Sequence, residues 1–246
     1  MIDHISPENW KELESKVAEI FKDIGYQTKI NKKIQTVRGP VNVDVYARDK
    51  SQSPNIIYLC ECKHWEKRTP KNVVHSFRTV VQDYGANFGI IISDKGFQKG
   101  AYEASKNTNI KLVDWFGFQD LFEEKWLPAI VDKIYTRFAD LVDFTPNVSR
   151  SVAAKLEELD STNQVKFQRF KELYKKYMSI GQMIMGLQPG WELSSLGNEF
   201  PFEMEIPSDN VEEAEKVEIH SWREWFNQLV FWAENGLKEI RALLSS

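Results

Sequence analysis

The sequence predicts a mixed α/β domain, with a central sheet flanked by helices, followed by a mainly helical C-terminal region. Three observations predict it. Helix-period and strand-period segments alternate over the first half of the chain in the order α-β-β-β-α-β-α-β-α. Phe88 to Ile92 is an almost unbroken apolar run, as in a strand buried on both faces. Beyond residue 150, Leu156, Leu159, Phe170, Leu173, Tyr177, Ile180, Ile184 and Leu187 follow a 3/4 spacing, interrupted at Asn163 and Lys166.

Residues 8–24 form the first predicted helix. Trp10, Leu13, Val17, Ile20 and Phe21 lie on one stripe, Ser6-Pro7 supplies a start, and Gly25 a left-handed end. Tyr26 to Ile30 is a short strand, punctuated by Gly39-Pro40. Val41, Val43 and Val45 alternate with Asn42, Asp44 and Tyr46, and Ile56 to Lys63 is the next strand. With the turn at Ser51–Asn55, residues 41–63 make a β-hairpin. Thr69-Pro70 opens a helix through Tyr84 whose inward positions are Val73, Val74, Phe77, Val80 and Val81, and Gly85 closes it. After the Phe88 strand come a short helix from Gly100 to Ser105, a strand from Ile110 to Val113, and a helix led by Trp115 to Phe122.

Pro128 and Pro146 bracket the expected change of domain. The division is 1–130 for the α/β domain, 131–150 for a linker and 151–246 for the helical part. Within the latter, Gln188 to Asn210 reads as a long loop with one strand at Phe202–Ile206. Ser221 and Glu224 form a capping box for a C-terminal helix striped by Trp222, Phe226, Leu229, Ala233, Leu237, Ile240 and Leu244. Trp191, Trp222, Trp225 and Trp232, with Met178, Met183 and Met185, suit a helical core. They also suit a surface that takes a partner protein or a second copy of the chain.

No apolar run approaches the roughly 18–20 residues that cross a bilayer, so no membrane role is expected. The start of the chain has no basic stretch followed by an apolar one, and Cys60 and Cys62 stand too close together to staple distant segments. Both features point to the cytoplasm. Residues 1–130 carry 19 Lys and Arg against 17 Asp and Glu, whereas the remainder carries 13 against 19. The overall net charge of −4 therefore hides a mildly basic first domain, and nucleic-acid binding needs only a local basic patch.

Asp44 and Glu61 fall on the two strands of the predicted hairpin, and Lys63, two residues after Glu61, points the same way. Two carboxylates held together repel unless a cation lies between them. Mg²⁺, with Mn²⁺ as substitute, takes such hard oxygen ligands and keeps several of its waters. A lysine beside them can orient water or neutralise charge on phosphate. An ion pair at a strand edge has the same spacing, but Glu61-Cys62-Lys63 ends an apolar strand, where sites are built in such sheets. Cys60 and Cys62 with His64 and His75 include zinc-ligand residue types, but cysteines one residue apart lack the wider spacing of structural zinc sites, and core packing is the expected role of both cysteines.

Residues from about 10 to 127 resemble the Mrr-type catalytic domain of the restriction-endonuclease-like, or PD-(D/E)XK, nucleases. The resemblance lies in Leu13-Glu14, Val17-Ala18, Gly25-Tyr26, Val43-Asp44-Val45 and Glu61-Cys62-Lys63. It continues through Gly85-Ala86, Gly89 to Ser93, Gly96 to Ala101, and Ile110, Leu112 and Asp114. The resemblance implies a Mg²⁺-dependent endonuclease of double-stranded DNA in bacterial restriction or anti-phage defence. Asp44 and Glu61 would be metal ligands, Lys63 would stand beside the attacking water, and Glu14 would be a further ligand through water. Glu14 can equally be read as an acid that complements the helix dipole. One departure is the stretch before Asp44: it is glycine-rich in the family, and here it is Gly39-Pro40-Val41-Asn42.

Lys29, Lys32, Lys33, Arg38, Lys67, Arg68, Lys71, Arg78, Lys95 and Lys99 flank the predicted strands and form the expected phosphate-tracking rim. No segment reads as a base-reading helix-turn-helix. The rival readings are a nuclease fold kept for DNA binding or assembly without catalysis, and a nuclease for RNA or single strands.

Overall fold

The computed structural model describes residues 1–142, 150–186, 199–206 and 215–245. The chain divides into two compact units, the first comprising residues 1 and 6–126 and the second residues 2–5 and 127–246. Helix occupies residues 131–142 of the expected linker.

The first unit contains α1 (Trp10–Asp23), β1 (Gln27–Thr36), β2 (Gly39–Asp49), β3 (Ile56–Lys63), α2 (Lys71–Tyr84), β4 (Phe88–Ser93), α3 (Lys99–Ser105), β5 (Ile110–Val113) and α4 (Trp115–Asp120). This is the predicted order. The strands lie side by side as β1-β2-β3-β4-β5. The first three are antiparallel to one another, and β3, β4 and β5 are parallel, so the sheet is mixed.

Two local expectations change. Helix α1 starts at Asn9 rather than Ser6-Pro7, because the Asn9 Oδ1 accepts from the Glu12 N–H at 3.0 Å. Gly25 does take the left-handed conformation after it, at φ 84°. Strand β1 runs on to Thr36, well past Ile30, and turns directly into β2 through Val37-Arg38.

That longer hairpin has a second role. The β2–β3 ladder stops at Val45↔Cys60, while β1–β2 pairing continues to Thr36↔Gly39. Beyond the stop, Ile34 and Val43 join Tyr46, Leu59, Ile91, Val74, Phe77 and Val81 in one buried core, and the tip is held by Arg38 Nε on Asp83 Oδ2 at 2.9 Å. The outer hairpin thus leaves the sheet and covers α2. Its exit point is marked on β1 by Asn31, at φ 47°. Gly89 permits close packing here: a Cβ there would stand 2.6 Å from Ile110 and 2.7 Å from Val81.

A second core holds Phe21 of α1 against Tyr26, Tyr58, Phe118 and Phe122, with ring centroids 4.9–5.9 Å apart. Burying each such ring contributes roughly 1.5–3 kcal/mol, which fixes α1 against the sheet.

The second unit contains α5 (Glu123–Val142, its first turn in the first unit), α6 (Arg150–Glu157), α7 (Ser161–Met185), a hairpin of β6 (Phe202–Ile206) and β7 (Glu215–Ile219), and α8 (Trp222–Leu244). The helical stripe from Leu156 onward is two helices, broken where Asp160 Oδ1 accepts from the Asn163 N–H at 2.9 Å. Strand β7 was not anticipated. Ser221 caps α8 as expected, accepting from the Glu224 N–H at 3.1 Å. Glycines bring the helices close: Gly181 meets the Phe138 ring, and Gly236 meets Tyr174 and Leu141. Trp222, Trp225 and Trp232 are buried. Leu187, Trp191 and much of the predicted loop lie outside the described residues, as do the side chains of Leu173, Tyr177, Met178, Met183 and Met185. No helix of the described residues is long and apolar enough to cross a membrane.

Candidate functional site

Asp44 and Glu61 are the first residues beyond the last β2–β3 pair, Val45↔Cys60. Where the strands part, the Cys62 N–H loses its ladder acceptor, and Asp44 Oδ2 takes it at 2.7 Å. On its other side β3 stays paired with β4, Glu61 against Ile91 and Lys63 against Ser93. The Asp94 N–H donates to Lys63 O at 3.1 Å, which extends that support past the strand end. Lys63 Nζ reaches back to Glu61 Oε1 at 2.5 Å.

Glu14 enters from α1. It lies on the inward stripe with Leu13, Val17, Ala18 and Phe21 and is 8% exposed. Burial pushes its carboxyl up to about 7, with Asp44 and Glu61 adding repulsion and Lys63 opposing it. The acid of the first helical turn is Glu12, so Glu14 faces the carboxylate cluster rather than serving the helix dipole. Glu61 is also raised, by burial first and Asp44 second, against the pull of Lys63. Three carboxylates thus crowd together, with Lys63 paired to Glu61 and acting on Glu14. Such a donor set fits a hard divalent cation, whose charge would relieve the repulsion that raises Glu14 and Glu61. Among the described residues no group of three or more His, Cys, Asp or Glu side chains is arranged to hold a metal ion by itself.

Cys60 and Cys62 are free, buried thiols, pushed well up by burial, and His75 is exposed on α2. His64 Nε2 lies 3.3 Å from Pro7 O and ties the strand end to the segment before α1. A cavity of about 80 Å³ beside it, reaching Asp94, Asp114 and Trp115, has room for water and not for a nucleotide.

The basic positions divide into two groups. Lys67 and Arg68 follow β3 in an exposed loop bound to the loop after β4, with the Thr69 N–H donating to Gly96 O at 2.9 Å. Lys99 begins α3 on the far side of that second loop. These three, with Lys71 and Lys95, sit at the end of the sheet that carries Lys63. Lys32, Lys33 and Arg38 ride on the outer hairpin over α2. Lys32 Nζ stands 3.1 Å from the Tyr46 ring centroid, and Arg38 is paired with Asp83 at the far end of α2. Lys29 is exposed on β1, and Arg78 is half-buried in the middle of α2. Sequence reasoning passed over Trp65, whose ring centroid lies 5.3 Å from Lys63 Nζ. Its signal was its place two residues beyond Lys63.

Residues 5–122 match the Mrr_cat family, described as restriction endonuclease. With the mixed sheet and its flanking helices, this is the restriction-endonuclease-like fold that the resemblance implied. A solved structure described as a protein of unknown function, AF1548, is similar over 44% of this chain at 22% identity and a TM-score of 0.38. The chain spans 59% of that protein's length. No protein of curated function matches the sequence.

Proposed function

We propose that this chain, whose residues 5–122 match the Mrr_cat restriction endonuclease family, is a Mg²⁺-dependent endonuclease that hydrolyses phosphodiester bonds of double-stranded DNA. The observation that carries the reading is the gathering of Glu14, Asp44 and Glu61, with Lys63 paired to Glu61, at the open end of β3. Asp44 and Glu61 would hold the cation, with Glu14 as a further ligand through water. When bound, Mg²⁺ or Mn²⁺ supplies Lewis acidity toward a phosphate oxygen.

The residues themselves account for the rest. The Cys62 N–H holds Asp44 Oδ2 and so limits the rotamers of that carboxylate, which would leave its other oxygen for the cation. Lys63 Nζ, now on Glu61 Oε1, would donate to the attacking water or to the phosphoryl oxygen as negative charge builds there. Lys67, Arg68 and Lys99 would track phosphates at the same end. Lys32, Lys33, Arg38 and Arg78 would extend the contact along the α2 side, at the cost of opening the Arg38–Asp83 pair. The second unit would restrain or trigger the nuclease by binding a partner protein or a second copy of the chain. Exposed Val165 and Phe231, at 70% and 56%, support such a contact. A cytoplasmic anti-phage or restriction role is the setting in which such restraint is needed.

Incubation of plasmid with the purified protein tests the reading. Cutting with Mg²⁺, none with EDTA and none by Lys63→Ala is the expected result. If wild type and Lys63→Ala cut alike, the catalytic assignment fails.

A further inference from the structure

Trp65 holds an open aromatic face at the reacting centre. Its indole is 44% exposed. Lys63 Nζ stands 5.3 Å from the ring centroid and also bonds Glu61 Oε1 at 2.5 Å, so one ammonium group joins the carboxylate cluster to the ring. The core does not require this ring: Trp65 lies past the end of β3, in a loop that continues through exposed Lys67 and Arg68 to the Thr69 anchor. Leaving a large apolar ring in water has a cost that a ligand with a flat apolar face recovers. The charge beside it selects a ligand that carries an anion next to that face. A nucleotide has both parts, a base to lie on the indole and a phosphate to meet the lysine.

The geometry adds a restriction on that nucleotide. In a paired duplex each base is covered above and below by its neighbours. An indole stacks at no unstacking cost where the base has left the helix, at a bulge, a mismatch, a strand interruption or an extruded position, whereas in an intact duplex a base step must first be unstacked. We propose that Trp65 stacks on an unpaired or extruded base adjoining the scissile phosphate, so that interrupted or distorted duplex DNA is the preferred substrate. The inference rests on the hydrolytic reading of Lys63 for its position. The stacking itself can be measured without any hydrolysis.

The test uses the full chain as wild type, Trp65→Phe and Trp65→Ala, with a fully paired DNA duplex and the same duplex carrying one central bulged nucleotide. In EDTA, tryptophan emission is titrated with each duplex, and the difference between wild type and Trp65→Phe isolates Trp65 from the other indoles. The bulged duplex quenches that component and the paired one does not. Trp65→Ala binds the bulged duplex about ten- to a hundredfold more weakly, and Trp65→Phe recovers most of the loss. With Mg²⁺, wild type cuts the bulged duplex faster, and Trp65→Ala loses the preference. Equal binding of both duplexes by wild type and Trp65→Ala, with no Trp65 quenching, overturns the proposal. Quenching without cutting of either duplex upholds the stacking and counts against hydrolysis. Cutting with no preference and no quenching does the reverse.

Discussion

The backbone N–H of Cys62 donates to Asp44 Oδ2 at 2.7 Å across the point where β2 and β3 part. One hydrogen bond thus fixes a candidate metal ligand and satisfies a strand end. The two roles separate by substitution. Asp44→Asn keeps an acceptor for Cys62, and Asp44→Ala does not. Both variants are expected to lose Mg²⁺-dependent plasmid cutting, while only Asp44→Ala loses about 1–3 kcal/mol of stability in urea unfolding. Full cutting by Asp44→Asn would remove Asp44 from the chemistry.

Lys63→Ala is expected to slow cutting by about 10²–10³-fold, the usual effect of removing one group that stabilises charge in the transition state. Single-turnover rates on plasmid measure it. A loss below tenfold would mean that Lys63 serves mainly to pair Glu61.

Glu14→Gln removes one of three crowded carboxylates, the one pushed up to about 7 by burial and by Asp44 and Glu61. In EDTA at pH 8 the variant is expected to melt higher than wild type, because the ionised Glu14 is there a buried charge that Lys63 only partly offsets against burial, Asp44 and Glu61. Added Mg²⁺ is expected to raise the wild-type melting temperature more than that of the variant. A lower melting temperature for Glu14→Gln in EDTA would contradict the crowding.

Asp49, 2% exposed, links β2 to its surroundings away from the site. Burial pushes its carboxyl up, but hydrogen bonds from the Ser51 hydroxyl and N–H and from Tyr26, with Lys125 nearby, outweigh that and leave it below the usual range. A lowered carboxyl favours the folded state when ionised, so its contribution is complete at neutral pH and fades as pH falls below about 4. The stability gap between wild type and Asp49→Asn is therefore expected to be largest at pH 7 and to narrow on acidification, read by urea unfolding. A gap that widens in acid would reverse the sign.

Gly89→Ala places a Cβ 2.6 Å from Ile110 Cδ1 and 2.7 Å from Val81 Cγ2. Overpacking at this β4–α2 contact is expected to cost about 1–3 kcal/mol, measured by thermal or urea unfolding. An unchanged stability would show that Ile110 and Val81 can yield.

Much of the first unit was legible in the sequence by itself. Helix and strand leave periodicities of 3.6 and 2 in the apolar residues, so the order from α1 to α4, the end of α1 at Gly25 and the end of α2 at Gly85 could be read locally. Glu61-x-Lys63 needed only strand alternation, and residues 5–122 carried enough matched pieces to resemble the family whose model they match. What the tertiary structure decided depends on partners far along the chain. Sequence alone left Glu14 between two roles, and only the packing of α1 over the sheet turned it toward Asp44 and Glu61. The reach of β1 to Thr36 has no strong apolar signal, because Lys32, Lys33 and Gln35 interrupt it; α2 supplies the surface that Ile34 and Val43 cover. That excursion carries Arg38 to Asp83 over α2, a pairing that the linear sequence does not reveal. Strand β7 exists by pairing with β6, and Trp65 matters only because Lys63 stands beside its ring. Local period records which face of an element is apolar; which distant element meets that face is a property of the folded chain.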